Sequence, residues 1–167
     1  MHNKTLDVMK MKDKYQKLYA EANRIIGYKT PLKKDCGQVC GGVCCKGDEE
    51  TGMLLFPFED SCFTVKEKDG VRLCVCQGKC NRDERPLSCR IFPFFPYVTP
   101  DGKIKVIPDI RGINTCPLVL NFSQVKFDKG FLWRVKKVGR LLYADEECRK
   151  FLVETSREID SLLSLME

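Results

Sequence analysis

The sequence predicts an α+β fold, in which a small, irregular, metal-stabilised core with short β-hairpins is packed by N-terminal and C-terminal helices. Helical periodicity is confined to the two ends of the chain, and ten of the eleven cysteines lie between residues 36 and 116. A length of 167 residues fits one domain. We therefore expect a single cysteine-cluster domain over 1–167, with an N-terminal helix (1–30), a cysteine-rich core (31–118) and C-terminal helices (119–167).

The first segment has apolar residues at steps of three and four, which predicts an amphipathic helix from Thr5 to Ile26. Gly27 supplies the stop signal and Pro31 prevents the helix from resuming. The apolar stripe consists of Val8, Met11, Tyr15, Leu18, Ala22 and Ile25. The other face carries Lys10, Lys14, Lys17 and Arg24. Such a face is more often solvated than bound to phosphate or to an acidic partner.

The glycine-rich segment that follows shows no periodicity between residues 30 and 52. Ordering the ten residues from Cys36 to Cys45 costs about 10 to 20 kcal/mol of backbone entropy. Burying Val39 or Val43 returns only about 1.5 to 3 kcal/mol each. A structural zinc ion contributes about 10 to 16 kcal/mol in peptide systems, which is of the size needed. The sequence therefore predicts that a bound metal orders this segment.

Two β-hairpins are predicted in the middle of the chain. Cys62 to Lys66 and Val71 to Cys76 flank a turn signal with glycine, and Phe94 to Thr99 and Lys103 to Ile107 flank another. Residues 85–92 suit a short helix with proline in its first turn.

Helical spacing returns in the tail and predicts two C-terminal helices. The first carries Phe131, Val135, Val138 and Leu142, and the second Cys148, Leu152, Thr155, Ile159 and Leu162. Asp145 is the expected cap of the second helix. We expect Trp133, like Phe131, to be a core or helix-packing residue rather than a ligand platform.

Cysteine usage depends on the compartment. The chain has no apolar run long enough to span a membrane, and no apolar segment follows its first residues, so we expect a cytoplasmic protein without a membrane partner. In a reducing compartment, clustered cysteines bind metal more often than they form bridges. Redox or disulfide use remains the weaker alternative.

Nine cysteines are candidate metal ligands: Cys36, Cys40, Cys44, Cys45, Cys74, Cys76, Cys80, Cys89 and Cys116. No pair is separated by two residues, which argues against a thioredoxin-like dithiol, a zinc ribbon and a bacterial ferredoxin. Soft thiolate ligands select zinc, copper(I) or iron–sulfur clusters, and the single histidine, His2, leaves an all-sulfur shell. Cys62 and Cys148 are interpreted as small buried residues and excluded.

Three motifs carry a family resemblance: the adjacent pair Cys44-Cys45 after spaced cysteines, the tripeptide Gly78-Lys79-Cys80, and the stretch Arg85-Pro86-Leu87-Ser88-Cys89-Arg90-Ile91-Phe92-Pro93. Between Cys36 and Cys116 the chain resembles the YkgJ-type cysteine-cluster family, with its CxxCxxCC pattern. Its members are described as zinc- or iron-chelating proteins, and flagellin lysine N-methylase is a relative.

The resemblance implies a ligand set of Cys36, Cys40, Cys44, Cys45, Cys80, Cys89 and Cys116, with Cys74 or Cys76 as the eighth. Eight thiolates would fit two four-sulfur sites, or one [4Fe-4S] cluster plus a zinc ion.

Charged residues near these motifs have two interpretations each. Arg85 and Arg90 flank Cys89 and either offset thiolate charge or pair with surface acids. Glu59 and Asp60 stand where the family often carries an acid, and a helix cap explains them equally well.

The leading hypothesis is a metal-binding protein that holds zinc or an iron–sulfur cluster in one or two sites, in which the metal serves structure rather than catalysis. One alternative is an iron–sulfur enzyme, or enzyme component, that acts on another protein, as the lysine methylase resemblance implies. Another is a binding module that uses the basic N-terminal helix.

The net charge of +6 does not favour a nucleic-acid partner. Residues 1–34 hold nine basic and three acidic side chains, and the remaining residues balance. A protein partner stays open. The sequence contains neither a P-loop nor a dinucleotide fingerprint.

Overall fold

Three long helices pack against one another and against a two-stranded sheet. The computed structural model describes residues 2–46, 52–61, 63–68, 70–76, 78 and 80–166, without the side chains of 2–7 and 68. The helices are α1 (His2–Ile26), α2 (Gly37–Cys40), α3 (Leu87–Ile91), α4 (Pro117–Leu120), α5 (Lys129–Ala144) and α6 (Glu146–Ser164). The strands are β1 (Met53–Leu54), β2 (Thr64–Lys68), β3 (Val71–Val75), β4 (Phe94–Val98) and β5 (Ile104–Pro108). Short 3-10 turns cover Val43–Cys45, Arg82–Glu84, Ile110–Gly112 and Phe122–Gln124. The predicted α+β class is confirmed.

Both sheets are antiparallel and small. The first has the order β1-β3-β2 and pairs Met53 with Cys74, and the second joins β4 to β5. Both hairpins lie where the turn signals predict them, with boundaries within two residues. The predicted strand position of Cys62 lies outside the described residues.

The main core lies between the helices and the β4–β5 hairpin. Its members include Tyr15, Tyr19, Ala22, Ile26, Phe94, Phe95, Phe131, Val135, Val138, Leu142, Leu152 and Ile159. Asp145 caps α6 as predicted, because its Oδ1 accepts a hydrogen bond of 3.1 Å from the Cys148 amide. None of the described helices is long and apolar enough to cross a membrane.

The predicted stripe of α1 is buried only in its second half. Residues 8–14 are all exposed, including Val8 at 61% and Met11 at 43%. The Tyr15 hydroxyl donates to Asp145, which lies between α5 and α6. Since α5 runs antiparallel to α1 and ends at Ala144, the residues before Tyr15 extend past the end of their partner helix.

The prediction for Trp133 is wrong. Phe131 is fully buried as expected, but Trp133 is 62% exposed. The buried residues of α5 follow the spacing 131, 135, 138 and 142, and at about 100° per residue Trp133 faces the opposite side.

Candidate metal centre

A cavity of about 360 Å³ lies between β3, α3 and the glycine-rich segment. Seven of the nine predicted ligands line it: Cys36, Cys44, Cys45, Cys74, Cys76, Cys80 and Cys89. Cys40 and Cys116 do not. The fold thus gathers most of these thiols from segments up to 53 residues apart in sequence.

Two consecutive glycines shape the cavity wall between α2 and the Val43–Cys45 turn. Gly41 and Gly42 both have φ of 66°, in the left-handed region that side chains with a Cβ rarely adopt. They end α2 at Cys40 and reverse the chain, so Cys44 does not continue the helix of Cys40. Cys36 and Cys44 line the cavity on either side of this reversal.

The opposite wall is the end of β3 and the turn that follows it. Cys74 and Cys76 both line the cavity, because residues two apart along an extended backbone lie on the same face. Gly78, with φ of 94°, turns the chain before Cys80. Glycine at this position lets Cys80 approach Cys76.

Three of the lining thiols form a tight group. The Sγ atoms of Cys45, Cys76 and Cys80 all lie within 4.8 Å of one another, and each side chain is half-buried. Zn–S bonds of about 2.3 Å in tetrahedral geometry place sulfur atoms about 3.8 Å apart. The three thiols are therefore near enough to hold one metal ion.

Cys44 adjoins this group through Cys45. A hydrogen bond from the Cys44 thiol lowers the pKa of Cys45 to about 6, with support from the Arg85 charge and against the effect of burial. The same hydrogen bond raises the pKa of Cys44. Burial also raises the pKa of Cys76. The hydrogen bond from Cys44 thus favours the thiolate form of Cys45, which is the form that binds metal.

Arg85 supplies positive charge at the three-thiol group. Its Nε donates a hydrogen bond of 3.1 Å to the Cys80 Sγ. Of the two interpretations of Arg85, the contact with a cysteine sulfur therefore favours the offset of thiolate charge over pairing with a surface acid. Arg90 does not offset thiolate charge, since it donates to the backbone carbonyls of Arg85 and Asp83.

Cys74 and Cys89 form a second thiol pair in the cavity wall. A hydrogen bond from the Cys89 thiol lowers the pKa of Cys74 to about 6, and the Ser61 hydroxyl, 3.4 Å from the Cys74 Sγ, adds to the effect. The pKa of Cys89 is correspondingly raised. Sequence reasoning missed Ser61, which no spacing rule connects to Cys74.

Cys36, Cys40 and Cys116 lie near one another, and the charges of Cys36 and Cys40 also act on Cys44. Cys36 packs against the buried group formed by Cys116, Leu118 and Val119. Burial raises the pKa of Cys36 to about 11, and the charges of Asp35, Cys40 and Cys116 act in the same direction. Burial also raises the pKa of Cys116.

Glu59 fixes the helix that carries Cys89. It is 2% exposed, and its carboxylate accepts hydrogen bonds from the amides of Phe56, at 3.0 Å, and of Leu87, at the start of α3. The cap interpretation thus applies to Glu59. Burial, opposed by these hydrogen bonds, raises the pKa of Glu59 to about 7.

The excluded Cys148 lies away from the cavity. It is fully buried on the core stripe of α6, and its Sγ is 3.6 Å from the Tyr19 hydroxyl. Burial raises its pKa to about 12. The second excluded residue, Cys62, lies outside the described residues.

No family model, curated protein or solved structure matches this chain.

Proposed function

We propose that the protein binds one thiophilic metal ion, zinc in the first instance, through Cys45, Cys76 and Cys80, with Cys44 as the fourth ligand. The single observation that carries the proposal is the approach of three Sγ atoms to within 4.8 Å of one another. Membership of the cysteine-cluster family, which the motifs between Cys36 and Cys116 suggest, is part of the same proposal.

The donor set fits zinc chemically. Structural zinc sites are commonly closed by four cysteines, and zinc binds the deprotonated thiol. The depressed pKa of Cys45 supplies one thiolate, and binding displaces the remaining protons. Arg85 offsets part of the negative charge that several thiolates leave on the site.

The bound ion would have a structural role. Cys45 comes from the glycine-rich segment, whereas Cys76 and Cys80 come from the turn after β3, so one ion would join two segments. The described residues of the glycine-rich segment, 30–46 and 52, contribute no side chain to the main hydrophobic core. Metal binding can supply the free energy that orders it.

A second candidate is an iron–sulfur protein, and one observation favours it. Seven cysteines surround a single cavity of about 360 Å³, which is more than one four-coordinate ion requires. Iron–sulfur clusters are held by thiolates and change oxidation state, so this candidate also includes an enzyme or enzyme component that acts on another protein.

The test is elemental analysis of protein purified without oxygen, combined with its visible absorption spectrum. We expect colourless protein with one zinc ion per chain. Iron with acid-labile sulfide and a brown colour would establish the second candidate instead. Metal-free protein that takes up neither zinc nor iron after full reduction would refute both.

A further inference from the structure

The outer face of α5 carries a basic stripe that the proposed metal site does not use. The stripe consists of Lys129, Trp133, Lys136, Lys137 and Arg140. Their spacings of four, seven, eight and eleven residues from Lys129 place all five on one side of the helix. This side is opposite to the buried residues of α5.

All charged side chains of α5 are positive. The 16 residues of α5 contain five basic side chains and no acidic one. Arg134 is engaged, because it donates to the Ile25 carbonyl. The four other cations make no ion pair with an acid in the described part of the chain. The balance of charge over residues 35–167 hides this local excess.

The acids beside the stripe are already occupied. Glu21, whose charge reaches Lys137, accepts two hydrogen bonds of 2.7 Å from Arg24. Asp128 accepts from the Phe131 amide at the start of α5 and lies 3.8 Å from the Lys29 Nζ. Both acids are therefore engaged elsewhere, and no acid in the described part of the chain forms an ion pair with the stripe.

Trp133 gives the stripe an aromatic platform. It is the only large apolar side chain of this fully described helix that is exposed, and the Lys137 Nζ lies 5.3 Å from its ring centroid. An exposed aromatic ring between cations one helical turn apart is the combination by which proteins hold unpaired bases and their phosphates.

A membrane surface fits the stripe less well. A helix that lies in a lipid interface buries an apolar face in the headgroup region. The apolar face of α5 is fully buried in the core, through Phe131, Val135, Val138 and Leu142. Trp133 alone is left for such a contact.

We propose that the α5 stripe binds single-stranded nucleic acid, with Trp133 stacking on a base and Lys129, Lys136, Lys137 and Arg140 contacting phosphates. This interaction is independent of the metal. It also differs from the binding-module hypothesis for the N-terminal helix, because the stripe lies on α5.

The test uses Trp133 itself as the probe, because it is the only tryptophan in the chain. Titrating the purified full-length protein with oligothymidylate or oligouridylate at low salt should quench its fluorescence. Single strands give a slope of about −0.7 in log affinity against log salt for each phosphate contact, so four contacts predict about −3. Comparing the two oligomers distinguishes DNA from RNA.

Matched variants locate the interaction. Lys136→Gln/Lys137→Gln should reduce the salt slope by about 1.4, whereas Lys10→Gln/Lys12→Gln on the exposed part of α1 should leave it unchanged. Trp133→Ala should weaken binding of a fluorescently labelled oligomer by roughly tenfold, because one stack is lost, and Trp133→Phe should restore part of it. Unchanged thermal unfolding would show that the variants fold.

Three results would overturn the proposal. One is binding that leaves the Trp133 emission unchanged. Another is loss of binding in the α1 variant rather than the α5 variant. The third is association with phosphatidylserine vesicles while both oligomers fail to bind. None of these results bears on the metal content, so the two proposals fail separately.

Discussion

The Nε of Arg85 lies 3.1 Å from the Sγ of Cys80. This contact places a cation at the edge of the three-thiol group. Among the described residues, Arg85 is the only basic one that lines the cavity. Hydrogen bonds from residues that do not bind the metal themselves orient its ligands and tune their basicity. Arg85 is therefore a positioning residue of the proposed site.

Arg85→Gln should weaken zinc affinity by about tenfold to 100-fold, because the Cys80 thiolate loses its charged donor. Competition with a chromogenic chelator measures the affinity. Arg90→Gln is the matched control, since Arg90 donates only to the backbone carbonyls of Arg85 and Asp83. Equal losses in both variants would show that the arginines act through local folding alone.

Glu59 should make stability depend on pH. Its pKa is about 7 in the folded chain against an ordinary value of 4.5, so between these values the folded state holds the proton more tightly. Below about pH 4.5 the protonated carboxyl contributes its full share to the free energy of unfolding. This contribution, about 3 kcal/mol, is lost as pH rises through 7.

Glu59→Gln tests this prediction, because the amide does not titrate. The unfolding free energies of both proteins should be measured in urea from pH 5 to pH 8. The difference between them removes the titrations that both proteins share and reports on Glu59 together with Cys74 and Cys89, whose charges interact with it. We expect the wild-type protein to lose stability relative to Glu59→Gln as pH rises. Parallel profiles would contradict the prediction.

Cys148→Ala tests whether Cys148 is a core residue rather than a metal ligand. We expect a loss of about 1 kcal/mol in unfolding free energy, because a small buried volume is removed. The Tyr19 hydroxyl keeps its hydrogen bond of 2.5 Å to the Pro57 carbonyl. Metal content per chain, measured by elemental analysis, should not change. A variant that loses metal would place Cys148 in the site.

Gly139→Ala should destabilise the fold where α5 crosses the β4–β5 hairpin. A Cβ at Gly139 would lie 2.4 Å from the Pro96 Cβ and 2.9 Å from the Ile104 Cγ2. Such overpacking costs about 1 to 3 kcal/mol. Arg140→Ala, on the exposed side of the same helix, should change the thermal midpoint little. An equal midpoint shift in both variants would argue against the close approach.

The sequence predicts well what local signals determine. Helical spacing, the Asp145 cap and the glycine-containing turns locate the long helices and both hairpins, because capping and turn geometry act over a few residues. The exposure of Trp133 follows from the same spacing, because the stripe of Phe131, Val135, Val138 and Leu142 leaves Trp133 on the opposite side of α5. The prediction was wrong because it followed the apolar character of the side chain rather than its position on the helix.

The candidate site is predicted as a set of residues but not as an arrangement. The positions of the eleven cysteines in the sequence select nine candidate ligands. The grouping of these nine thiols depends on long-range packing. The reversal at Gly41 and Gly42 lets Cys36 and Cys44 line the same cavity, and the turn at Gly78 brings Cys80 to Cys76. Arg85 reaches Cys80 through the intervening 3-10 turn, which no sequence spacing rule specifies.

Native mass spectrometry of two triple variants tests the central claim most directly. The first variant removes the three-thiol group (Cys45→Ser/Cys76→Ser/Cys80→Ser). The second removes three candidate thiols that are not part of that group (Cys36→Ser/Cys40→Ser/Cys116→Ser). After equal exposure to zinc, we expect the first variant to carry no ion and the second to retain one ion per chain. An ion retained by the first variant and lost by the second would contradict the assignment of the metal to Cys45, Cys76 and Cys80.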